Sequence, residues 1–564
     1  MLLNPKNYTL KHKDQRYQEI IEKTIAFFEN KGLQKVKDDD HQRIWYADFL
    51  DFIRKEKIFA TLLTPTGYGE KDCRWDTWRI AHFNEILGFY GLAYWYTWQV
   101  SILGLGPIWM SGNEALKQRA AKLLQDGEVF AFGLSEKEHG ADIYSTEMSL
   151  TPQTDGSYLA NGSKYYIGNG NAAKMVSTFG KISDSGDYVV FNANYLHKNY
   201  TCIKNVVNSQ SYVAEYTLSD YPVGEEDILE KGEDAWNAVL NTVNIGKYNL
   251  GWASIGMSTH AFYEAINHAS QRQLYGFHVT DFSHVKHMFM DAYSRLVAMK
   301  LVALRAADYM RVASPKDKRY LLYNPVVKMK VTTQGESVID LLWDVIAAKG
   351  FEKDTFFGMV TRDIRALPKL EGTVHVNIAL ILKFMANYFF KPTSYTEVDK
   401  QDEIRNDTFL FNQGATRGLG KIQFHDYRKV YKSVDIPNVR VFKKQIRLLK
   451  QLLVLAKPNK KQTKDVDFLM ALGELFTLVV YGQLIIENAR VYQLEDDLLD
   501  QIFDFMVRDF SHHALQLYSK SSSTKSQMRF CSRMIKKPIV NNARFSRIWE
   551  QQVYTLKDQY IMNN

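Results

Sequence analysis

From Phe282 onward, apolar residues fall at Val285, Phe289, Ala292, Leu296, Met299, Ala303 and Ala306, in steps that alternate three and four. No strand can gather residues at that spacing on one face, because its side chains change sides at every residue. The run predicts an α-helix whose apolar seam must be buried against other helices.

The same test of period divides the rest of the chain. Residues 1–128 repeat apolar positions at helical spacing, as in 18–28. Residues 85–105 are apolar and crowded with Phe89, Tyr90, Tyr94, Trp95, Tyr96 and Trp98. The stretch Pro65-Thr66-Gly67-Tyr68-Gly69 reads as a break. This is expected to be an N-terminal helical domain. The period changes over 129–240. There Asp155-Gly156 and Asn161-Gly162 read as turns between short alternating runs, and Tyr188-Val189-Val190-Phe191 as a strand. A small β domain is expected. Residues 241–392 return to helix, including one that follows Pro325 and stops at Gly350. Residues 391–407 are polar and read as a linker, and 400–564 as a C-terminal helical domain. The expected fold class is mainly α, with a central small β domain, a helix bundle and a C-terminal helical extension.

Composition narrows the functional classes. With 564 residues, 46% hydrophobic and 24% charged, the balance is that of a soluble globular protein. No apolar run reads as long enough to span a bilayer. The first residues show neither a signal-peptide core nor an Arg-rich transit helix. Cys73, Cys202 and Cys531 are far apart and lack metal-ligand spacing, which suits a reducing compartment. The cytoplasm is the expected location. The net charge is +8, and the excess lies in residues 401–564; the first 400 are nearly balanced. Over residues 440–455, Arg440, Lys443, Lys444, Arg447 and Lys450 fall on one side and Phe442, Ile446, Leu449 and Leu453 on the other.

Three motifs carry chemistry. Arg362-Asp363-Ile364-Arg365 precedes Leu370-Glu371-Gly372-Thr373, which sets a carboxylate beside a glycine. Glycine lets the backbone approach a flat ligand closely, but such pairs are common in turns. The pair gains weight from Leu134-Ser135-Glu136 with Gly140-Ala141-Asp142, and from Asn161-Gly162-Ser163-Lys164-Tyr165-Tyr166-Ile167-Gly168-Asn169. In this order and spacing, over residues 60–390, they resemble the acyl-CoA dehydrogenase family, whose motifs read T-E-x-x-x-G-S-D, N-G-x-K-x-W-I-T-N, R-D-A-R and Y-E-G-T. One motif alone would be weak; three in register are a strong signal.

The resemblance implies FAD as cofactor and an acyl thioester as substrate, with a place in fatty acid metabolism. A carboxylate removes the α proton while a hydride leaves Cβ for flavin N5. Glu371 stands at the family's base position. An alternative base position, used by some members, reads Gly246-Lys247 here and holds no acid. By the same resemblance Phe132, Leu134, Ser135, Tyr166, Ile167, Gly168, Arg272, Tyr275, Gly350, Thr373 and His375 stand at cofactor-binding positions. Ala141, Asn244, Lys247 and Gly372 stand at substrate positions. The chain departs from the pattern at several of these. Ser135 replaces a threonine, Tyr166 a tryptophan, and Gly168 a threonine whose hydroxyl bonds flavin N5. Ala347-Ala348-Lys349-Gly350 replaces a glycine-rich G-G-x-G. Ala141, Asn244 and Lys247 replace the serine, aspartate and arginine that serve CoA recognition, so an acyl-carrier-protein thioester stays compatible. Trp95, Tyr96 and Trp98 fall on the helix that walls the family's acyl pocket, and suggest a compact acyl group.

The resemblance further implies an electron-transfer flavoprotein as acceptor and a homodimer, as in the longer members. Two other readings stand beside it: an oxidase that passes electrons to oxygen, and a flavin-binding relative that acts mainly on nucleic acid through its basic tail. The retained Glu371 and the lack of a nucleic-acid motif argue against the latter. An anionic membrane surface is a further partner that a basic face fits.

Overall fold

The computed structural model describes residues 1–564. By its internal contacts the chain forms two compact units. One comprises residues 9–249, 402–417 and 562–564; the other comprises 1–8, 250–401 and 418–561.

The first unit opens with helices that carry side-chain caps. Asp14 accepts from the Tyr17 N–H at the start of Gln15–Lys31, Asp76 from Trp78 and Arg79 at Thr77–Tyr90, and Asn113 from Leu116 at Glu114–Gln125. Each satisfies donors that the first turn leaves open. The helix Leu92–Met110 is buried nearly all round. Trp95 and Trp98 on it both donate to Asn84 Oδ1, at 2.7 and 3.1 Å, and Asn84 belongs to Thr77–Tyr90. These two indoles therefore face the helical core. The expectation of a compact acyl pocket loses two of its three rings, and only Tyr96 points another way.

Eight strands form the sheet: β1 (Phe130–Gly133), β2 (Ser149–Pro152), β3 (Tyr158–Gly168), β4 (Met175–Ile182), β5 (Tyr188–Ala193), β6 (Tyr200–Asn205), β7 (Val213–Val223) and β8 (Ile228–Lys231). The order is β6-β7-β3-β2-β4-β5-β8, with β1 alongside β4. The β1–β4 and β2–β4 pairs are parallel and the rest antiparallel. Asp155-Gly156 is the turn between β2 and β3, as expected. Asn161-Gly162 is not a turn. It lies inside β3 at a register shift against β7. A Cβ on Gly162 would sit 2.9 Å from Met148 Cα, so this glycine serves a close crossing of backbones rather than a chain reversal. A second register shift in β3, between Lys164 and Ile167, puts one extra residue at Tyr165-Tyr166.

Helix Gly232–Gly246 packs on Leu92–Met110 and β5. The end of the polar stretch read as a linker, residues 402–407, is held in this unit together with the residues that follow it. The Asp407 N–H donates to Trp75 O, Asp407 Oδ2 accepts from the Thr77 N–H, and Asn237 Oδ1 accepts from Thr416. Polarity there reflects hydrogen bonding to other segments, not freedom.

In the second unit the seam residues from Val285 to Ala306 are all buried on helix Ser283–Arg311. The helix expected after Pro325 begins earlier, at Tyr320, and Pro325 sits inside it. A π-turn follows at Val327–Val331, and α-helix resumes over Thr332–Ile346. It ends at Ile346, before Gly350, because Ala347 turns to φ 55°.

The C-terminal helices Pro437–Leu455, Val466–Val491, Asp496–Tyr518 and Lys525–Met534 pack on one another, and Val466–Val491 and Asp496–Tyr518 also pack on Ser283–Arg311. Val466–Val491 is long and apolar enough to cross a membrane, contrary to the sequence reading. It is buried along most of its length within the unit, which is what a central core helix requires. On Pro437–Leu455, Phe442, Ile446 and Leu449 of the expected apolar side are buried, whereas Leu453 is half-buried and Leu452 takes the buried place. Only Arg440, Lys444 and Arg447 of the expected basic face are exposed. Lys443 donates to Val434 O at 3.1 Å, and Lys450 lies over the Phe390 ring.

Candidate active site

The first unit gathers one group of the sequence-identified residues where β1 ends beside β3. Phe132 is on β1, and Leu134 and Ser135 follow it. Ser135 is tied to β3 twice: its Oγ donates to Tyr165 O at 2.8 Å, and its carbonyl accepts from the Tyr165 N–H at 2.9 Å. The side chain beneath this link is Lys164. It is fully buried and donates to Leu134 O at 3.1 Å, Glu136 Oε1 at 2.7 Å and Thr146 Oγ1 at 3.1 Å. Glu136 also accepts from the N–H groups of Glu147 and Met148. Burial pulls the Lys164 ammonium down to about 8, against the opposing pull of Glu136. Burial alone would raise the Glu136 carboxyl, but Lys164 and the hydrogen bonds hold it below its ordinary value. Both are therefore ionised at neutral pH, and together they fix the residues on either side of Ser135.

Glu136, His139 and Glu147 bring ligand atoms within 4.8 Å of one another. Glu136 is already paired with the Lys164 ammonium, so the cluster reads as part of this ion-paired network.

Tyr166 occupies the bulge with φ 65°, and its ring is 59% exposed. Ile167 is buried. Gly168 has a cause outside its own strand. A Cβ there would meet Tyr96 Cε1 and Val100 Cγ1, both at 2.7 Å. The helix Leu92–Met110 thus presses Tyr96 against the backbone where the related pattern has a threonine. Asn169, with φ 58°, donates to Thr97 O and Phe130 O and accepts from Thr97 Oγ1, which locks the end of β3 to that helix and to β1. Ala141 is in an exposed turn; Asn244 and the buried Lys247 end helix Gly232–Gly246.

The second unit gathers the other group. Glu371, Gly372, Thr373 and His375 form one turn that leads into helix Val374–Leu382, with Thr373 as its cap. Glu371 has φ 51° and Gly372 φ 86°. A left-handed glutamate is uncommon and costs about 1–3 kcal/mol, so the surroundings must hold it there. Two buried donors do so. Lys328 Nζ donates to Pro368 O at 2.6 Å and to Gly372 O, and Asn377 Nδ2 donates to Gly372 O at 2.9 Å. Gly350 is buried after Thr332–Ile346 and faces the Trp343 indole. Arg272 is exposed at the end of helix Asn249–Gln271 and opens a hairpin of β9 (Gln273–Leu274) and β10 (Phe277–His278). Tyr275-Gly276 is its two-residue turn, with φ 53° and 82°, the left-handed pair that a tight hairpin needs.

Half of the non-glycine residues with positive φ fall in these motifs: Tyr166, Asn169, Tyr275, Ala347 and Glu371. Backbone strain gathers where function is served. Ala347 shows this most plainly, since the alanine keeps a backbone shape that suits the glycine of the related pattern. Sequence reading missed Lys328 and Asn377, and it named Tyr96 only as a pocket wall, not as the neighbour of Gly168. Lys328 acts on residues forty and more positions away, and Asn377 acts through backbone carbonyls, which leave no mark on the side-chain pattern.

A family model for the acyl-CoA dehydrogenase, C-terminal domain, matches residues 233–386. The short-chain-specific acyl-CoA dehydrogenase of Megasphaera elsdenii is 24% identical over 373 residues, which cover 64% of this chain and 95% of that protein. The acyl-CoA dehydrogenase of Bacillus anthracis, solved with FAD, has a TM-score of 0.73 at 18% identity, over 98% of this chain and 97% of that one. A prolyl acyl carrier protein oxidase has a TM-score of 0.55 at 21% identity, over 66% of this chain and 99% of that one. The fold is that of the acyl-CoA dehydrogenases, with the C-terminal helical extension included. The similarity to acyl-CoA dehydrogenases thus runs from a family match over residues 233–386 to a shared fold over nearly the whole chain.

Proposed function

We propose that the protein is an FAD-dependent oxidoreductase that forms a double bond between Cα and Cβ of an acyl thioester, with Glu371 as the base. Its residues fit the cofactor. Tyr166 offers an exposed aromatic face for a flat ring, and the exposed Arg272 offers a fork of donors suited to a diphosphate. Bound FAD supplies the acceptor for the β hydride. Glu371 takes the α proton, and its backbone N–H polarises the thioester carbonyl so that this proton is acidic enough to leave. The observation that supports the assignment is the Glu371 turn itself, a left-handed glutamate whose neighbouring Gly372 carbonyl accepts from two buried donors. Glu371→Gln keeps the shape and removes the proton acceptor. FAD should stay bound while substrate-driven bleaching of the flavin band falls by roughly 10²–10⁴-fold. Near-normal bleaching in this variant would sink the assignment.

The acyl group is carried on an acyl carrier protein in this reading. Ala141, Asn244 and Lys247 lack the groups that the family uses for CoA, whereas carrier proteins are acidic and this chain is basic. A panel of acyl-CoA and acyl-carrier-protein thioesters, followed by flavin bleaching, decides between carriers; faster reduction by the CoA esters overturns the carrier reading. The same experiment, with oxygen excluded or admitted, separates an electron-transferring flavoprotein from oxygen as acceptor.

The assembly is a homodimer, and the location the cytoplasm, where the three free cysteines suit a reducing medium. The hairpin tip supports an assembly. Leu274, Tyr275 and Phe277 are 37%, 92% and 59% exposed, an apolar projection that a second copy would cover. Light scattering tests this, and a monomer that keeps its flavin refutes it.

A further inference from the structure

We propose that Lys328 is a positioning residue for the base: its buried ammonium, aided by the Asn377 amide, holds the Glu371–Gly372 turn in the conformation from which the carboxylate works. The inference rests on the reading of Glu371 as the base, and adds how that base is aimed.

Lys328 is fully buried, on the π-turn Val327–Val331. A π-turn inserts one residue into a helix and rotates the side chains around it, so that a group can point where an unbroken helix would not send it. Its presence here is accommodated by local partners. Thr332 Oγ1 donates to the Lys328 carbonyl at 2.6 Å, and Thr333 Oγ1 to those of Met329 and Lys330 at 3.0 and 3.1 Å. These hydroxyls serve carbonyls that the irregular turn leaves poorly paired.

The rotated ammonium donates to Pro368 O and Gly372 O, which bracket Glu371 on both sides. Those carbonyls face the interior, where an apolar neighbour would leave them without donors at a cost. Asn377, also fully buried, reaches the Gly372 and Thr373 carbonyls from the following helix at 2.9 and 3.0 Å. Two consecutive left-handed residues are thus held from two helices. Ion pairs also lie along this stretch, Lys369–Glu336 and Arg365–Asp340, with side chains 19–63% exposed. Solvent screens such pairs, so they add little.

The test uses the FAD-loaded full chain. Lys328→Met removes the ammonium and keeps the stem. Stopped-flow bleaching at saturating thioester gives the limiting rate, and titration with a thioester whose β carbon is replaced by oxygen gives binding without turnover. Hydrogen exchange by mass spectrometry reads the amides of 369–373. The limiting rate should fall about 10²-fold, as for a reacting group displaced by about 1 Å. Binding of the inert thioester should change less than about threefold by the same argument, which concerns orientation rather than contact. Exchange should quicken at 369–373 and not in the β strands. In Glu371→Gln, adding Lys328→Met should cost nothing more, because the lysine acts only through the base. A limiting rate within threefold of the parent, or a full further loss in the double variant, overturns the proposal. Normal bleaching in Glu371→Gln instead overturns the base reading, a distinguishable result. Should Lys328→Met fail to retain FAD, Asn377→Ala decides: a folded, loaded protein with an unchanged limiting rate and unchanged exchange at 369–373 refutes the clamp.

Discussion

Lys164→Met is the most informative single change for the sheet side of the site. It removes the ammonium that donates to Leu134 O, Glu136 Oε1 and Thr146 Oγ1, and leaves the Glu136 carboxylate only 6% exposed. Breaking a buried pair in this way typically costs about 3–5 kcal/mol. Glu136 keeps the Thr146 hydroxyl and two backbone N–H donors, which puts the loss at the lower end, about 3 kcal/mol. Converting Glu136 to Gln in the same chain removes the stranded charge and should return about half of that. The assay is urea denaturation, in the parent, both single variants and the double, followed by the near-ultraviolet signal. The pH dependence has a definite sign. Lys164 in the folded chain releases its proton near 8, while in the unfolded chain it keeps it until about 10.5. The unfolded chain holds more protons between those values, so this group makes stability rise with pH over that window. The gap between parent and Lys164→Met should therefore widen from pH 8 to 10. A single variant within about 0.5 kcal/mol of the parent, or a double variant no better than the single, would falsify the reasoning.

Gly168→Thr restores the hydroxyl of the related pattern but drives its Cβ into Tyr96 and Val100; it should cost about 1–3 kcal/mol, and adding Tyr96→Leu should recover most of it in the same melt. Ala347→Gly relieves a strained φ of 55° and should raise stability by about 1 kcal/mol despite the greater freedom of the unfolded chain; a lower melting temperature would contradict this. Glu487 is buried among Arg305, Tyr309 and His425, and these hold its carboxyl far below the ordinary value although burial alone would raise it. Its contribution is complete above about pH 4.5 and fades as pH falls further, so Glu487→Gln should lose about 3–5 kcal/mol at pH 7 and show a shallower acid limb in thermal melts.

The chain's sequence alone determined the class of each segment. The alternating steps of three and four from Phe282 admit only a packed helix, and three motifs in register make Glu371 a base candidate by resemblance. Such signals are local: periodicity and turn chemistry act within a few residues, so they survive without tertiary context. Where two local readings competed, context decided. Asn161-Gly162 has the composition of a turn, yet the crossing of Met148 made it part of a long bulged strand. Residues 466–491 have the composition of a bilayer span, yet the surrounding helices made them a core. The threonine missing at Gly168 is explained by Tyr96, which lies in a different element. The clamp on Glu371 comes from Lys328, forty-odd residues earlier, turned inward by a π-turn that Pro325 hints at but does not specify. The reason is common to all four. A residue's own preferences are worth a few tenths of a kcal/mol to about 1 kcal/mol, whereas burying a side chain or leaving a carbonyl without a donor is worth several times more. Which groups are buried against which is a property of the assembled chain.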